Sequence, residues 1–465
     1  MLLGAALLFL MASCSDEESF TTDRNAVLTF SRDTVSFDTL FTGISSSTER
    51  FNVYNRNSEG IRIASVSLAS GGTSGFQMNV DGQYGTSVNQ VEILKQDSIF
   101  IFVEVNVPEQ PSNQPTLHED AIVFTLESGV QQKVILEAYG QNITVLRSEV
   151  YEGGTFTLTS DVPYVIYDSL VVAETATLRI EAGATLCFHN DANMIVRGAL
   201  EAEGTLEKPV TFRGDRTDRL FSYLPYDRLD NQWGGIYLAP SCQGCTLHYA
   251  DIHSGSFGII SEGISGKLTI ENSVIHNVGG SALFLQETHS LVANTQITNS
   301  YGDCISIFGG TSDFYHCTVA QFYPWSADRG NALVISNNLD ETAPTLIEAA
   351  NFYNCFITGY AKDEIYGYPG DSPLNIHFYS CTLLTDISDD TYFHNCTAES
   401  KDLDCYQATN FRSIDTSTYF YDFHLDSLST ARFKGASQYS ALYPLDRDGN
   451  LRPDNPDAGC YQLAY

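Results

Sequence analysis

The sequence is poor in positive charge. Its 24 Lys and Arg residues stand against 57 Asp and Glu, which gives a net charge of −33 over 465 residues. A surface of this sign repels nucleic acid and anionic lipid, so the composition argues against a nucleic-acid partner. A groove for a polyanion would need local basic residues or a bridging cation. The same charge suits the solvated exterior of a secreted protein.

The sequence also lacks an apolar run long enough to cross a membrane as a helix. The N-terminal run, residues 2–11, is too brief for a bilayer and leads into Ala12, Ser13 and Cys14. Small residues directly before a cysteine resemble the lipobox that signal peptidase II cleaves. One departure is that no Lys or Arg precedes Arg24, where export signals carry a basic segment. The resemblance predicts a signal peptide over residues 1–13 and a lipid anchor on Cys14.

An acidic segment follows this cysteine. Residues 15–19 read Ser-Asp-Glu-Glu-Ser, which resembles the tag that directs lipoproteins of Bacteroidota to the outer face of the outer membrane. The resemblance implies a lipid-anchored protein facing the cell exterior, with residues 14–25 as its polar tether. The triplet Asp-(Ser/Thr)-apolar is similar to the O-glycosylation sequon of the same bacteria. Its central hydroxyls, the candidate acceptors, belong to Thr34, Thr39, Ser98, Ser169 and Ser427.

Short alternating apolar runs, separated by turn residues, fill residues 26–145. Examples are the segments 51–55, 61–64, 99–105, 121–124 and 134–138. Alternation with a period of two is typical of half-buried strands, and about seven such strands predict an antiparallel sandwich. The order of these segments resembles the immunoglobulin-like sandwiches of the major-sperm-protein and hydin type, which implies a stalk or adaptor.

A repeat begins beyond Val145. Six strand-like segments align on one apolar position, with spacings of 23, 22, 22, 38 and 26 residues: Ile252, Ile275, Ile297, Val319, Ile357 and Leu383. A period near 22 is one coil of a β-helix, in which each coil stacks on the last at strand spacing. The position two residues earlier reads Ala, Ser, Thr, Cys, Cys, Cys and shares the inward face. Asn272, Asn294 and Asn354 head their strands, where asparagine suits a left-handed corner.

The start and end of the repeat carry more specific segments. Residues 178–184, 195–205, 208–212 and 232–236 resemble the opening coils of the pectin-lyase-like β-helix lipoproteins of Bacteroidota, and residues 446–461 resemble their closing segment. We therefore predict an all-β protein with an N-terminal immunoglobulin-like β-sandwich. A right-handed parallel β-helix follows over residues 146–430, with a C-terminal cap over 431–465. That family includes polysaccharide-active enzymes, adhesins and proteins of unknown role, so the fold leaves the function open.

Eleven cysteines in an exported protein invite disulfides. Cys317, Cys355 and Cys381, however, share one inward register position. Free thiols behave as small hydrophobes, so we predict a stacked core column at this position. Cys242 and Cys245 form a lone CxxC without the two further ligands that zinc requires, which leaves a local disulfide or two reduced core thiols.

Three short motifs contain residue types that could carry chemistry. His253 and His276 share a register position, but Thr298 takes that place in the next coil, which favours a hydrogen-bonded histidine pair over a metal site. Asp303 lies in a segment that resembles the Gly-Asp-Asp-Cys of polygalacturonases, yet the second aspartate is absent, which favours a turn residue. Asp446 begins like a calcium loop without the later bidentate acid. A structural cap is favoured there, Ca²⁺ is the alternative, and no other cofactor is expected.

Aromatic side chains gather in the insertions of the repeat. The 38-residue interval between Val319 and Ile357 contains an insertion with aromatic and charged side chains. The next wide interval contains two more tyrosines. Insertions in repeat proteins usually lie on the surface and carry function. Flat rings beside hydrogen-bonding charges suit stacking on a pyranose. The candidate glycan-binding residues are Trp325, Tyr323, Arg329, Asp328, Tyr366 and Tyr368.

These observations favour a cell-surface glycan-binding or adhesion module without catalysis, because no complete catalytic set is visible. The alternative is a polysaccharide lyase or glycoside hydrolase acting in the β-helix groove, and a structural surface spacer is a further alternative. The expected partners are membrane lipid, through the acyl anchor, and a polysaccharide or host glycan.

Overall fold

The computed structural model describes residues 19–339, 344–399 and 410–463. The chain divides into two compact units, with the boundary between Asn142 and Ile143. The signal peptide and Cys14, predicted from the sequence, lie outside the described residues. Among the residues that are described, none forms a helix long and apolar enough to cross a membrane.

The first unit consists of two sheets around one hydrophobic core. One sheet has the strand order β1-β5-β10-β11-β3, with β8 paired to β5, and the other has the order β2-β4-β9-β6-β7. The strands alternate between buried and exposed positions, as in β9, where Ile99, Ile101, Val103 and Val105 point into the core. The strands are β1 Phe20–Thr21, β2 Leu28–Phe30, β3 Thr34–Phe41, β4 Glu49–Asn55, β5 Gly60–Leu68, β6 Phe76–Val80, β7 Gln83–Gly85, β8 Ser87–Ile93, β9 Ser98–Val105, β10 Thr116–Leu126 and β11 Gln131–Gln141.

The first unit starts earlier than the sequence predicted. Phe20 and Thr21, assigned to the tether, pair in parallel with Gly60 and Ile61. The guanidinium of Arg62 lies 4.1 Å from the centre of the Phe20 ring, a cation–π contact that holds this first strand. The immunoglobulin-like identity of the unit stays a prediction.

The second unit is a parallel β-helix, which confirms the predicted fold class. Its strands pair in parallel with the next coil along three columns, exemplified by β15–β18, β19–β24 and β17–β22. The strands are β12 Thr144–Tyr151, β13 Gly154–Leu158, β14 Tyr164–Val172, β15 Ala176–Glu181, β16 Thr185–Phe188, β17 Asn193–Val196, β18 Ala199–Glu203, β19 Val210–Gly214, β20 Arg219–Phe221, β21 Leu224–Pro225, β22 Gly235–Leu238, β23 Gly244–His248, β24 Ala250–His253, β25 Ile259–Glu262, β26 Lys267–Glu271, β27 Val274–Val278, β28 Leu283–Ala293, β29 Gln296–Ser300, β30 Ile305–Tyr315, β31 Thr318–Gln321, β32 Leu333–Ser336, β33 Ile347–Tyr353, β34 Phe356–Gly359, β35 Ile365–Tyr368, β36 Ile376–Tyr379, β37 Thr382–Leu383, β38 Phe393–His394 and β39 Thr397–Ala398. The antiparallel pair β20–β21 lies outside these columns and forms a separate two-stranded sheet. Thr144 and Val145, the last residues of the range predicted for the sandwich, lie in the first strand of this unit.

The register of the repeat agrees with the sequence alignment at every step. Ile252 pairs with Ile275, and the ladder continues through the other anchors of the repeat to Leu383. All six anchor side chains are fully buried. Asn272, Asn294 and Asn354 have φ angles of 53°, 46° and 53°, so they occupy the left-handed corner that was predicted for them.

The small residues beside the anchors form a second buried column of hydrogen-bond donors. Ser273 Oγ donates to the carbonyl of Glu271 at 2.8 Å, two residues back in the chain. The same contact, from a side-chain hydroxyl or thiol to the carbonyl two residues back, is made by Thr295, Cys317, Cys355 and Cys381. All nine cysteines in the described part of the chain carry free thiols, so the thiol column and the reduced CxxC are observed.

After β39 the chain leaves the β-helix. The strands β40 Phe411–Asp415 and β41 Phe420–Leu425 form an antiparallel hairpin, within the range that the sequence had assigned to further coils. The C-terminal strap, residues 431–463, contains the short helix Ser437–Ser440 and runs back along the side of the β-helix. It was predicted to cap the open end.

The strap follows the asparagine corner. Asn354 exchanges two hydrogen bonds with Ala436, through Nδ2 to the carbonyl at 2.9 Å and from the backbone N–H to Oδ1 at 2.7 Å. Two coils away, Asn294 Nδ2 donates to the carbonyl of Leu445 at 2.9 Å. The left-handed corner turns these side-chain amides outward, where they form hydrogen bonds with the backbone of the strap.

The loop that begins at Asp446 is part of the strap. Its carboxylate is buried and accepts hydrogen bonds from the backbone N–H groups of Asp448, Asn450 and Gln462, at 3.0, 2.7 and 2.7 Å. Asn450 Nδ2 adds a fourth at 3.1 Å. Because N–H donors occupy both carboxylate oxygens, the geometry of Asp446 is that of a structural turn.

Candidate functional site

One outer face of the β-helix carries polar side chains next to the coils that the C-terminal hairpin covers. In β24 the residues Ala250 and Ile252 point inward, so Asp251 and His253 point outward from the same strand. His276 pairs with His253 in the next coil and also points outward.

The C-terminal hairpin covers the next coils of this face. Phe411 packs on Phe356 and Phe322, with ring centroids 5.4 and 5.9 Å apart. Tyr461 of the strap donates from its hydroxyl to Gln296 Oε1 at 2.8 Å, so the strap also covers part of this face. The edge of the part that the hairpin covers lies near His276.

A cavity of about 220 Å³ opens at this boundary. Its wall is aromatic and comes from the hairpin, whereas its floor is polar and comes from β27 and β29. The lining residues are Arg228, His276, Asn277, Gln296, Thr298, Asn299, Tyr419, Phe420, Tyr421 and Phe423. None of these described lining residues is a carboxylic acid.

Arg228 joins the cavity from the loop between β21 and β22. It ends the 3₁₀ turn Tyr226–Arg228 and donates from Nη1 to the carbonyl of Thr418 at 2.9 Å. Its guanidinium lies 5.1 Å from the centre of the Phe420 ring. Burial, together with the nearby charge of Arg219, lowers the pKa of Arg228, which remains a cation at neutral pH. The cavity therefore contains one fixed positive charge against an aromatic face.

The hairpin turn above the cavity holds a residue in an unfavourable conformation. Tyr419 has a φ angle of 55°, which bulky side chains rarely adopt. The Asp415 carboxylate stabilises the turn by accepting hydrogen bonds from Ser417 N at 2.8 Å and Thr418 Oγ1 at 2.6 Å. Strained residues that persist in this way often serve a site.

Asn299 in the floor has an unused hydrogen-bonding atom. Its side chain is 3% exposed, and Oδ1 has no hydrogen-bond partner within the described segments. A buried acceptor without a donor costs about 1–3 kcal/mol, so it is rare in native proteins. A bound hydroxyl or amide group in the cavity would satisfy it.

A histidine–carboxylate network adjoins the cavity through His276. His253 donates from Nδ1 to Asp251 Oδ1 at 2.9 Å and from Nε2 to Asp227 Oδ1 at 3.2 Å. His276 Nε2 lies 3.3 Å from Asp251 Oδ1, and Arg213 reaches Asp227 Oδ1 at 2.7 Å. The two imidazole rings are stacked, with centroids 4.9 Å apart.

The charges of this network stabilise one another. Burial alone would lower the pKa of His253, but Asp251 and Asp227 raise it to about 9. Burial alone would raise the pKa of Asp251, yet the charges and hydrogen bonds of His253 and His276 lower it well below its usual range. Both carboxyl groups therefore stay ionised at neutral pH, as Asp227 is shifted in the same direction.

The candidate tryptophan lies next to the cavity. Trp325 is 37% exposed and packs on Tyr419, with ring centroids 4.0 Å apart. Tyr323 has a structural contact instead, since its ring is buried and its hydroxyl donates to Asp230 Oδ2 at 2.5 Å. The insertion predicted from the repeat thus brings one exposed ring to the hairpin.

The other four candidates are distributed differently. Arg329 donates to the carbonyls of Tyr323 and Ser326 and holds the insertion in shape. Asp328 is exposed beside it. Tyr366 and Tyr368 are exposed on β35, in another column of the β-helix, and neither lines the cavity.

The remaining sequence candidates also have defined places. The five residues with candidate acceptor hydroxyls are at least partly exposed, and Ser427 is exposed. Asp303 is partly buried and accepts hydrogen bonds from Asn331 N at 3.0 Å and Ser306 Oγ at 2.9 Å, which fits the turn role favoured above.

Sequence reasoning missed the hairpin residues and Asp227. Tyr419, Phe420 and Tyr421 stand next to each other, and this aromatic run directly after a Ser/Thr-rich turn was a usable signal. Asp227 gave none, because its partner His253 lies far away in the sequence.

Comparisons with known proteins leave the family open. No family model matches the sequence, and no curated protein matches it. Among solved structures the chain is similar to a protein of unknown function from Porphyromonas gingivalis, with 15% identity, a TM-score of 0.19, and coverage of 27% of this chain and 60% of that one. A family 123 glycoside hydrolase from Clostridium perfringens has 9% identity, a TM-score of 0.18, and coverage of 24% and 26%. Dex49A from Penicillium minioluteum has 10% identity, a TM-score of 0.17, and coverage of 85% and 75%.

The chain spans less than two thirds of the length of the first two of these structures. At such identities and TM-scores the similarities carry no argument about function.

Proposed function

We propose that this protein is a non-catalytic glycan-binding module, held at the outer membrane by a lipid on Cys14 and facing the cell exterior. The observation that carries the binding proposal is the cavity between the hairpin and the sheet. It combines a wall of rings with the Arg228 guanidinium and the unpartnered oxygen of Asn299.

This combination suits a sugar. A pyranose has an apolar face that stacks on an aromatic ring and hydroxyl groups that need hydrogen-bonding partners at its edge. Phe420 is 53% exposed and Trp325 37%, so both rings are accessible to a ligand. Asn299 and Arg228 supply an acceptor and a donor.

The size of the cavity favours a short ligand. Its volume of about 220 Å³ is below the roughly 300–1,000 Å³ typical of pockets for drug-sized molecules. We therefore infer that one sugar unit or a chain end enters the cavity, while neighbouring sugars contact Trp325.

The alternative is a polysaccharide lyase or a glycoside hydrolase. Hydrolases of this kind use two carboxyl groups, one of them kept protonated by a raised pKa. The described lining of the cavity contains no carboxyl group, and the nearby Asp251 and Asp227 have lowered pKa values. These observations favour binding over hydrolysis.

Affinity electrophoresis tests the proposal, with galactomannan as the neutral probe and polygalacturonate as the uronate probe. Because the net charge of −33 opposes a polyuronate, we expect the neutral glycan to retard the protein more than polygalacturonate does. Tyr419→Asn and Trp325→Ala should each weaken the retardation about tenfold, as the loss of one stacking ring implies. Asparagine tolerates the positive φ of Tyr419, so this variant removes the ring without straining the turn.

Tyr366→Ala is the matched control, since it removes an exposed ring outside the cavity. Equal weakening by all three variants would contradict the assignment of the site. New reducing ends or unsaturated products after incubation with either polysaccharide would contradict the non-catalytic proposal.

A further inference from the structure

Three ligand-type side chains converge beside the cavity. One oxygen of Asp251 and one ring nitrogen each of His253 and His276 all lie within 4.8 Å of one another. The convergence follows from the register, because His253 and His276 face each other across adjacent coils and Asp251 shares the outward face of β24.

A second set of residues orients these side chains. His253 uses Nδ1 toward Asp251, and its other nitrogen, Nε2, donates to Asp227 Oδ1 at 3.2 Å. Asp227 is in turn fixed by Arg213 at 2.7 Å. Histidines that bind metals almost always donate the second ring N–H to a carboxylate in this manner, which fixes the ring and its tautomer.

We propose that Asp251, His253 and His276 form a binding site for one divalent transition-metal ion of the zinc type, and that the ion displaces to solvent the proton that His253 otherwise donates from Nδ1 to Asp251. Two imidazole nitrogens and one carboxylate oxygen match the preference of Zn²⁺, whereas Ca²⁺ and Mg²⁺ prefer oxygen ligands alone. Three protein ligands leave a tetrahedral ion one position for water or a ligand atom. The site adjoins the glycan cavity through His276 but does not depend on a glycan being bound there.

The rival interpretation is a purely ionic network, in which a charged His253 bridges two carboxylates without any metal. Titration of the untagged full chain with Zn²⁺ by calorimetry separates the two. We expect one binding event, weakened at least tenfold in Asp251→Asn and in His276→Gln. Asp227→Asn, a change at a positioning residue, should weaken binding about 10–100-fold and shift the visible absorption bands of bound Co²⁺.

The chain offers a matched control for the histidines. His377 and His394 form a second pair, with Nδ1 and Nε2 3.2 Å apart. His394→Gln should leave Zn²⁺ affinity unchanged, and the Cys396→Ala background should leave it unchanged as well, which excludes the partly exposed thiol as the ligand. The absence of Zn²⁺ binding would overturn the metal site in favour of the ionic network. Binding that survives His276→Gln but is lost with His394→Gln would place the ion elsewhere and overturn it too.

Discussion

The rings of Trp325 and Tyr419 lie against each other, with centroids 4.0 Å apart, and join the insertion of the repeat to the turn of the C-terminal hairpin. The second tryptophan, Trp233, is 1% exposed and stacks on Phe188 at 4.4 Å inside the β-helix. The two indoles therefore report on different environments of one molecule.

This difference gives a fluorescence prediction. In Trp325→Phe, the remaining Trp233 should emit at shorter wavelength and resist acrylamide quenching, since protein surrounds it. In Trp233→Phe, the remaining Trp325 should be quenched readily. A galactomannan that binds the cavity should change only the emission of Trp325, whereas a change in Trp325→Phe would argue against the site.

The thiol column predicts which substitutions the core tolerates. Cys355 donates from Sγ to the carbonyl of Tyr353 at 3.5 Å, and Ser273 makes the equivalent contact through oxygen at 2.8 Å. Cys355→Ser should therefore cost about 1 kcal/mol or less of unfolding free energy. Cys355→Leu should cost about 1–3 kcal/mol, because the site is fully buried and has no room for extra methyl groups. Urea denaturation measures both, and equal losses would contradict the donor role.

The register of the β-helix could be predicted from the sequence alone. Each repeat residue mainly contacts its equivalents one coil away, so spacing alone predicts the register, the buried column and the asparagine corner. The anchors from Ile252 to Leu383 were placed correctly because an error of one residue would turn every buried side chain outward.

The candidate site could be predicted only in part. Trp325 was found because it lies in an insertion that interrupts the period. The contact of Arg228 with Thr418 and that of Asp227 with His253 join non-periodic segments, and no spacing encodes them. Such contacts depend on tertiary packing.

The lipid anchor is tested by fractionation of cells. Cys14→Ser should move the protein from the membrane fraction to the soluble fraction, because no acyl chain can be attached without the thiol. Protease added to intact cells should degrade the unmodified protein if it faces the exterior. Protection of the β-helix would instead indicate a periplasmic location, and membrane retention of Cys14→Ser would contradict the anchor. Cys396→Ser is the control that keeps the lipobox intact.

The asparagine corner predicts a graded loss of stability. Asn354→Gly keeps a residue that favours the φ of 53° but loses both hydrogen bonds to Ala436, which should cost about 1–3 kcal/mol. Asn354→Ala loses the same bonds and adds about 1–2 kcal/mol for the left-handed conformation. Thermal unfolding should rank the alanine variant below the glycine variant. The reverse order would show that the corner does not need positive φ.

The strap is also fixed by a charged contact that depends on pH. His424 in the hairpin donates to Asp422 Oδ1, at 2.5 Å, and to Asp448 Oδ2 in the strap, at 2.7 Å. Arg447 faces the same Asp448 carboxylate at 3.2 Å, and the Tyr461 ring packs on the imidazole with centroids 4.0 Å apart. Burial alone would lower the pKa of His424, but the two carboxylates raise it above its ordinary value of 6.5.

A raised histidine pKa stabilises the folded state fully below pH 6.5, and this contribution is lost as pH rises through the folded pKa. His424→Gln should therefore melt at a lower temperature than the unmodified protein at pH 6, and the difference should shrink toward pH 9. Asp448→Asn should diminish the same pH dependence, since it removes one of the two carboxylates. Melting curves at half-unit intervals of pH measure both. A difference that stays constant from pH 6 to pH 9 would mean that His424 contributes packing against Tyr461 rather than charge.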